Sequence, residues 1–195
     1  KRVLLMPGSR KQEVLSLLDV MLESGERLLR SHENVQFFLP RAHTIDRSEL
    51  ESFINERNVP VTITEDHTYD LMQICDVCLA ASGTATLETA MMELPTVLLY
   101  KVSPITYGIG KMVVNLTHVG LPNIVAGKEV IPELLQDDVS ADAIVNTVLP
   151  LLDDLQVNQH MRSELRSVKE KLGESGAVNR VAQLIYDLGK EKTNE

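Results

Sequence analysis

The stretch that decides the fold is Val3-Leu4-Leu5-Met6-Pro7-Gly8-Ser9-Arg10, an apolar strand pattern that runs into a glycine turn and then an amphipathic helix pattern. A second stretch of this kind starts at Val77-Cys78-Leu79-Ala80 and continues through Ala81-Ser82-Gly83-Thr84-Ala85-Thr86-Leu87-Glu88 into another helix pattern. Such junctions place backbone N–H groups and a helix N-terminus where an anion can bind. The two junctions together predict a pocket for a nucleotide diphosphate.

Strand and helix patterns alternate around these junctions, which predicts an α/β fold with a Rossmann-like parallel sheet flanked by helices. We expect one domain over residues 1–188, including a helical carboxyl-terminal segment, and a frayed polar tail over 189–195. Asp138-Val139-Ser140 supplies an N-cap for one of these helices. The predicted strands cover residues 3–6, 35–39, 61–64, 77–80 and 96–100, with a short one at 119–123. The first predicted helix ends near residue 31, and the others cover residues 45–56, 69–74, 85–93, 104–115, 132–136, 141–152, 157–172 and 177–188.

Composition narrows the class of protein. The 195 residues are 44% hydrophobic and 24% charged, as in a globular domain with a large core. The formal net charge of −9 argues against a nucleic-acid partner, because phosphate recognition needs a basic face. No apolar run approaches the roughly 20 residues of a membrane helix, and no targeting segment is visible. Because Lys1 stands two residues before Val3, where the first predicted strand begins, we expect the chain to be part of a longer protein.

The two cysteines, Cys75 and Cys78, have the spacing of a redox or zinc pair. Zinc takes four ligands and the sequence offers no second cluster, and a reactive pair usually lies at a helix N-terminus. Cys78 instead lies in an apolar run, so we expect buried strand residues with free thiols, which fits a reducing cytoplasm.

Gly8, Ser9 and Arg10 are the first candidate ligand residues. Glycine lets the backbone pass close to a ligand, serine offers a hydroxyl, and the planar fork of arginine matches two phosphate oxygens. The alternative is an ordinary strand-to-helix turn whose arginine is solvated or pairs with Glu13, one helical turn later.

The second candidate group is Ser82, Gly83, Thr84, Ala85 and Thr86, whose small and hydroxyl side chains leave room for a ligand. Glu88 shares a helix face with Thr84, and capping-box spacing does not explain it. A carboxylate at this place can accept hydrogen bonds from the vicinal diol of a ribose. The alternative is a helix glutamate that faces solvent.

Tyr100, Lys101 and Asn123 are weaker candidates for substrate contacts. Tyr100 and Lys101 end the fifth predicted strand, where open α/β sheets bind ligands, and Asn123 lies in a loop bounded by glycines. Surface decoration and a plain turn are the alternatives. Gly108-Ile109-Gly110 lacks the third glycine of a dinucleotide site, no Walker lysine follows Gly8, and no catalytic triad or metal cluster is visible.

These residues together resemble the carboxyl-terminal half of the lipid-A-disaccharide synthase family. The resemblance extends from Lys1 to about Leu188, with the motifs in order and with fitting gaps. It rests on Leu5-Met6-Pro7-Gly8-Ser9-Arg10 with Glu13, Ala81-Ser82-Gly83-Thr84-Ala85-Thr86-Leu87-Glu88, Pro95-Thr96-Val97, Tyr100-Lys101 and Leu121-Pro122-Asn123-Ile124-Val125-Ala126-Gly127. Members of this family are inverting GT-B glycosyltransferases built from two Rossmann-like domains.

The resemblance implies that the chain binds the donor in the transfer of 2,3-diacylglucosamine from UDP to 2,3-diacylglucosamine 1-phosphate, which forms a β-1,6 bond and releases UDP. Ser9 and Arg10 would hold the diphosphate, residues 82–86 would contact it, Glu88 would hold the ribose, and Asn123 would lie beside the sugar or phosphates. The UDP-sugar is a substrate, and neither a cofactor nor a metal is expected. Arg10 and helix N-termini would stabilise the leaving UDP instead.

By the same resemblance, the general base, the acyl-chain surface and the membrane contact belong to an amino-terminal domain absent from this chain. We therefore name no catalytic residue. The resemblance implies a peripheral enzyme at the cytoplasmic face of the bacterial inner membrane, acting in lipid A biosynthesis, and it leaves a homodimer open. Two alternatives remain: another UDP-sugar enzyme of this architecture, such as the peptidoglycan N-acetylglucosaminyltransferase or a UDP-sugar epimerase, and a non-catalytic nucleotide-binding module.

Overall fold

The structure is a computed structural model that describes residues 1–32, 34–57, 59–102, 117–173 and 176–191. The predicted helix at 104–115 and the end of the predicted polar tail lie outside the described residues. The last described helix continues to Glu191, three residues beyond the end that the sequence analysis gives it.

A parallel sheet forms the centre of the fold. Its strands within the described residues are β1 (Arg2–Met6), β2 (Gln36–Pro40), β3 (Val61–Thr64), β4 (Val77–Ala81), β5 (Thr96–Tyr100) and β6 (Glu133–Leu135). They lie in the order β3-β2-β1-β4-β5-β6, and each neighbouring pair is parallel. The chain leaves β1 toward β2 and returns to pair β4 on the other side of β1. In open parallel sheets, ligands bind outside the carboxyl ends of the strands at such a switch point.

Helices cover both faces of this sheet. They are α1 (Lys11–Ser31), α2 (Arg47–Arg57), α3 (Thr68–Ile74), α4 (Thr84–Met91), α5 (Leu121–Ala126), α6 (Ala141–Asp153), α7 (Leu155–Leu172) and α8 (Ala177–Glu191), with a 3₁₀ turn at Gln136–Asp138. Ser140 caps α6 as predicted, because its hydroxyl accepts a hydrogen bond from the Ala143 N–H at 3.3 Å.

Neighbouring residues of one strand enter different parts of the core. Val3 and Leu5 of β1 pack in a cluster with residues of α1 and α6, whereas Leu4 packs in a cluster with residues of α3. Leu98 of β5 joins a third cluster with residues of α4 and α7. Strands buried on both faces must be apolar throughout, which explains the unbroken apolar runs in the sequence. The predicted α/β fold class is confirmed.

Two predicted elements beyond residue 116 are wrong. The predicted strand at 119–123 is replaced by helix α5, which starts at Leu121 with Pro122 in its first turn and ends at Gly127. The predicted helix at 132–136 is replaced by the edge strand β6, in which Glu133 pairs with Leu98 of β5. Short apolar runs have no clear period, so pairing with the neighbouring strand decides their conformation.

Both cysteines are buried and free, as predicted. Cys78 lies in strand β4, as predicted. Cys75 was also predicted as a strand residue, but it is the C-cap residue of helix α3. Burial raises the pKa of the Cys75 thiol to about 11 and the pKa of the Cys78 thiol well above its usual value. Both side chains are therefore protonated at neutral pH and act as small apolar core residues.

Candidate functional site

A crevice of about 570 Å³ opens at the carboxyl ends of β1, β2 and β4, at the switch point of the sheet. The fold brings the two predicted glycine turns together here, because β1 and β4 are neighbouring strands and each turn follows one of them. The predicted residues that line this crevice are Gly8, Ser9, Arg10, Ser82, Gly83, Thr84, Ala85 and Glu88.

The first turn depends on a glycine with a positive φ. Gly8 has a φ of +112°, and a Cβ atom built on it would lie 2.5 Å from Oε2 and 2.9 Å from Cβ of Glu13. A larger residue would therefore be strained and would also collide with α1. The turn leads to Arg10, the N-cap residue of α1, and no side chain among the described residues caps that helix end. The first amides of a long helix thus remain open toward the crevice.

Arg10 is held by an ion pair at the edge of the crevice. Its Nη1 donates to Oε1 of Glu13 at 2.7 Å, and 82% of the Arg10 side chain is exposed. The ion pair with Glu13, one of the two alternatives for Arg10, is therefore present. Exposed pairs of this kind contribute little energy, so a diphosphate can compete for the same guanidinium.

The second turn is open toward the crevice. Gly83 has a φ of +151°, precedes the first residue of α4, and would have no atom within 4 Å of an added Cβ. Glycine is therefore required here by the backbone conformation, since nothing crowds the position. In the part of the chain that the structure describes, no side chain caps α4 either. The N-termini of α1 and α4 thus border one cavity.

Thr86 lies on the inner side of this second turn. Its side chain is fully buried, and its hydroxyl donates to the Gly83 carbonyl at 2.8 Å. The Ser82 N–H is also used within the fold, where it donates to the Leu99 carbonyl at 3.1 Å. Thr86 therefore does not line the crevice, and its hydroxyl stabilises the turn from the inner side.

Glu88 lies one helical turn after Thr84 and lines the crevice. Its side chain is half-buried and has no hydrogen bond or ion pair with any described residue. An ionised carboxylate is an acceptor-only group with two oxygens. Glu88 can therefore accept hydrogen bonds from two neighbouring hydroxyls of a ligand.

Tyr100 and Lys101 are not brought into the crevice. Tyr100 ends β5 and packs beside the cluster of Leu98 and Ile131, and Lys101 is exposed beyond it. Both still lie on the carboxyl side of the sheet, two strands away from β1.

Asn123 lies inside the protein and does not line the crevice. Its side chain is 0% exposed. Its Oδ1 accepts hydrogen bonds from the Val130 and Ile131 N–H groups at 2.7 and 2.9 Å. Its Nδ2 donates to the Ile131 carbonyl at 2.8 Å and to Glu133 at 2.7 Å. The full hydrogen-bonding capacity of this amide is used to join α5 to the start of β6.

Arg41 and Tyr69 also line the crevice and were not identified from the sequence. Arg41 directly follows β2, and its Nε and Nη2 donate to Glu65 at 2.8 and 2.6 Å. Hydrogen bonds and charge from Arg41 lower the pKa of the Glu65 carboxyl. Tyr69 is an exposed aromatic residue in the first turn of α3. The position of Arg41 at the carboxyl end of a predicted strand was the signal that could have identified it.

Two kinds of site are not found in the part of the chain that the structure describes. No group of three or more histidine, cysteine or acidic side chains there could hold a metal ion. No helix there is both long enough and apolar enough to pass through a membrane.

Comparison with known proteins assigns the chain to a family. The family model described as Lipid-A-disaccharide synthetase matches residues 1–185. The chain belongs to this family. The lipid-A-disaccharide synthase of Geobacter sulfurreducens is 44% identical over 188 residues, which are 96% of this chain and 49% of that protein. The synthase of Nitrosococcus oceani is 39% identical over 180 residues, covering 92% of this chain and 46% of that protein. The chain thus spans about half the length of these lipid-A-disaccharide synthases.

Solved structures share the fold at low sequence identity. The Staphylococcus aureus MnaA–UDP structure has a TM-score of 0.65 at 13% identity, covering 97% of this chain and 46% of that chain. The carboxyl-terminal CMP-Kdo binding domain of WaaA from Acinetobacter baumannii has a TM-score of 0.58 at 13% identity, covering 86% of this chain and 88% of that one. At such identities the likeness establishes the fold alone, and the assignment to the lipid-A-disaccharide synthetase family rests on the sequence matches.

Proposed function

We propose that this chain is the donor-binding part of a lipid-A-disaccharide synthase, a glycosyltransferase that releases UDP. The observation that carries this proposal is the convergence of two uncapped helix N-termini, Arg10 and Glu88 on one crevice at the switch point of the sheet. The reaction is inferred from membership of the family, and the position of the nucleotide is inferred from the crevice.

The diphosphate lies between the two turns in this proposal. The amides that follow Gly8 and Gly83 and the guanidinium of Arg10 face it, while Glu88 accepts hydrogen bonds from the ribose. Negative charge grows on the β-phosphate as the bond to the sugar breaks. Donors that are already oriented toward that charge stabilise the transition state.

The finer assignments follow the family. The donor is UDP-2,3-diacylglucosamine, the acceptor is 2,3-diacylglucosamine 1-phosphate, and the product has a β-1,6 linkage. The general base, the acyl-chain surface and the contact with the cytoplasmic face of the inner membrane belong to a second domain of the longer protein. Transfer requires both domains, because the acceptor and the base must be held against the anomeric carbon of the donor.

Calorimetric titration of the 195-residue chain with UDP, UMP and ADP tests this function. We expect UDP to bind at least about tenfold more tightly than UMP, since the second phosphate adds charge-assisted hydrogen bonds. Equal binding of UDP and UMP would contradict the diphosphate site. Equal binding of UDP and ADP would favour a general nucleotide-binding module.

The role of Glu88 can be tested with a ligand that lacks the ribose hydroxyls. Glu88→Gln is expected to weaken UDP about three- to tenfold and to leave 2′,3′-dideoxy-UDP unchanged, because the variant loses only the charge-assisted part of the diol contact. Glu129→Gln is the matched control, since it makes the same charge change at an exposed residue outside the crevice. A similar loss with both nucleotides would show that Glu88 does not bind the ribose.

A further inference from the structure

A hydrogen bond from a neighbouring segment reaches the back of the first glycine turn. Thr44 lies between β2 and α2, and its hydroxyl donates to the Ser9 carbonyl at 2.5 Å. Arg10 also pairs with Glu13 of α1, but among the described residues only Thr44 makes a side-chain hydrogen bond to residues 7–10 from outside β1 and α1. Thr44 is itself exposed and does not line the crevice. Its hydroxyl therefore contacts the turn and not the place where a ligand would lie.

We infer that Thr44 is a positioning residue, which sets the orientation of the Ser9–Arg10 peptide in the diphosphate site. This inference rests on the proposed function. The peptide unit is planar and trans, so the Ser9 carbonyl and the Arg10 N–H point in opposite directions. A hydrogen bond that holds the carbonyl toward Thr44 directs the Arg10 N–H away from it. That N–H has no acceptor among the described residues, so it is a free donor at the entrance to α1.

The segment that carries Thr44 is itself fixed by Arg41. Nη1 of Arg41 donates to the Ile45 carbonyl at 2.8 Å, and the Ile45 N–H donates to the Ala42 carbonyl at 2.9 Å. The Ile45 side chain is buried, and Glu65 holds the same guanidinium through its Nε and Nη2. Arg41, Ile45 and Thr44 thus connect Glu65, the residue after β3, to the turn after β1.

The consequence is a specific effect on ligands that carry the second phosphate. Without the Thr44 hydroxyl, the Ser9–Arg10 peptide can rotate, and the Arg10 N–H no longer has a fixed direction. Oriented donors bind an anion better because their ordering cost is already met in the free protein. Ligands that do not reach this peptide should not respond.

Two substitutions at Thr44 separate this role from a merely structural one. Thr44→Val keeps the shape and removes the hydroxyl, whereas Thr44→Ser keeps the hydroxyl. Calorimetry should show that Thr44→Val binds UDP about three- to tenfold more weakly and UMP with unchanged affinity. Thr44→Ser should bind both nucleotides with the affinity of the unaltered chain. Thr62→Val is the control, because Thr62 is an exposed strand residue outside the crevice. This substitution should change the affinity for neither UDP nor UMP.

The Arg10 amide gives a second measurement, in the absence of nucleotide. Its resonance in an ¹⁵N–¹H spectrum should move in Thr44→Val and return in Thr44→Ser, while thermal denaturation shows both variants folded. The inference fails, and the proposed function stands, if UDP binds the unaltered chain and Thr44→Val equally. It also fails if the serine variant behaves like valine or if UMP is weakened as much as UDP. If the unaltered chain binds no UDP, the proposed function fails and this inference fails with it.

Discussion

Replacing Arg10 by alanine is expected to weaken UDP binding about ten- to a hundredfold while leaving UMP nearly unaffected. The variant loses a planar, charge-assisted contact to the second phosphate, and it leaves Glu13 without its partner at 2.7 Å. Both changes act on the diphosphate and not on the nucleoside. Isothermal calorimetry with the two nucleotides at one salt concentration measures the difference directly.

The Arg10 experiment needs controls for charge and for folding. Arg166→Ala removes an arginine that is also exposed and paired with a glutamate, Glu93, but lies outside the crevice. It should change neither affinity. The double variant Arg10→Ala/Glu13→Gln removes the unpaired carboxylate and should recover part of the lost UDP affinity, since repulsion from Glu13 is then absent. Equal losses for UDP and UMP in Arg10→Ala would refute the diphosphate assignment.

Replacing Asn123 by alanine is expected to lower the free energy of unfolding by about 3–5 kcal/mol, near the upper end for single substitutions. Asn123 is fully buried and takes part in four hydrogen bonds. Its removal leaves the amides of Val130 and Ile131 and the Ile131 carbonyl without partners in the interior. Urea denaturation followed by circular dichroism measures the loss.

Asn55→Ala is the control for Asn123→Ala. Asn55 is an exposed residue of α2, and its replacement should change the free energy of unfolding by no more than about 0.5 kcal/mol. The two possible roles of Asn123 give opposite results. If Asn123→Ala keeps its stability but binds UDP more weakly, the result would support the ligand contact that the sequence resemblance implies.

Elements with a strong local pattern could be predicted from the sequence. Strand β4 and residues 3–5 of β1 are apolar because they are buried on both faces, and each strand is followed by a glycine whose φ is positive. The sequence shows such features without any knowledge of neighbours in space. Helix α1 is equally clear, because its apolar residues recur at helical spacing from Val14 to Leu28.

Elements that depend on distant partners could not be predicted in this way. Strand β6 has three residues, and its pairing with β5 gives it its conformation. Arg41 is fixed by Glu65, and Thr44 contacts Ser9, across segments that are far apart in the sequence. The position of Arg41 directly after a predicted strand is a local signal for it, but nothing in the local pattern around Thr44 distinguishes that residue from other loop residues.

The sequence by itself determined the α/β class, the two glycine turns and the residue types that suit a nucleotide diphosphate, because hydrophobic patterning, turn-forming residues and charge are properties of short segments. Only the tertiary structure decided which of those residues meet. The strand order places β1 beside β4, so Gly8 and Gly83 border one crevice. The same packing buries Asn123. Because β6 pairs with β5, the Val130 and Ile131 N–H groups that precede β6 are buried, and the side-chain amide of Asn123 accepts their hydrogen bonds.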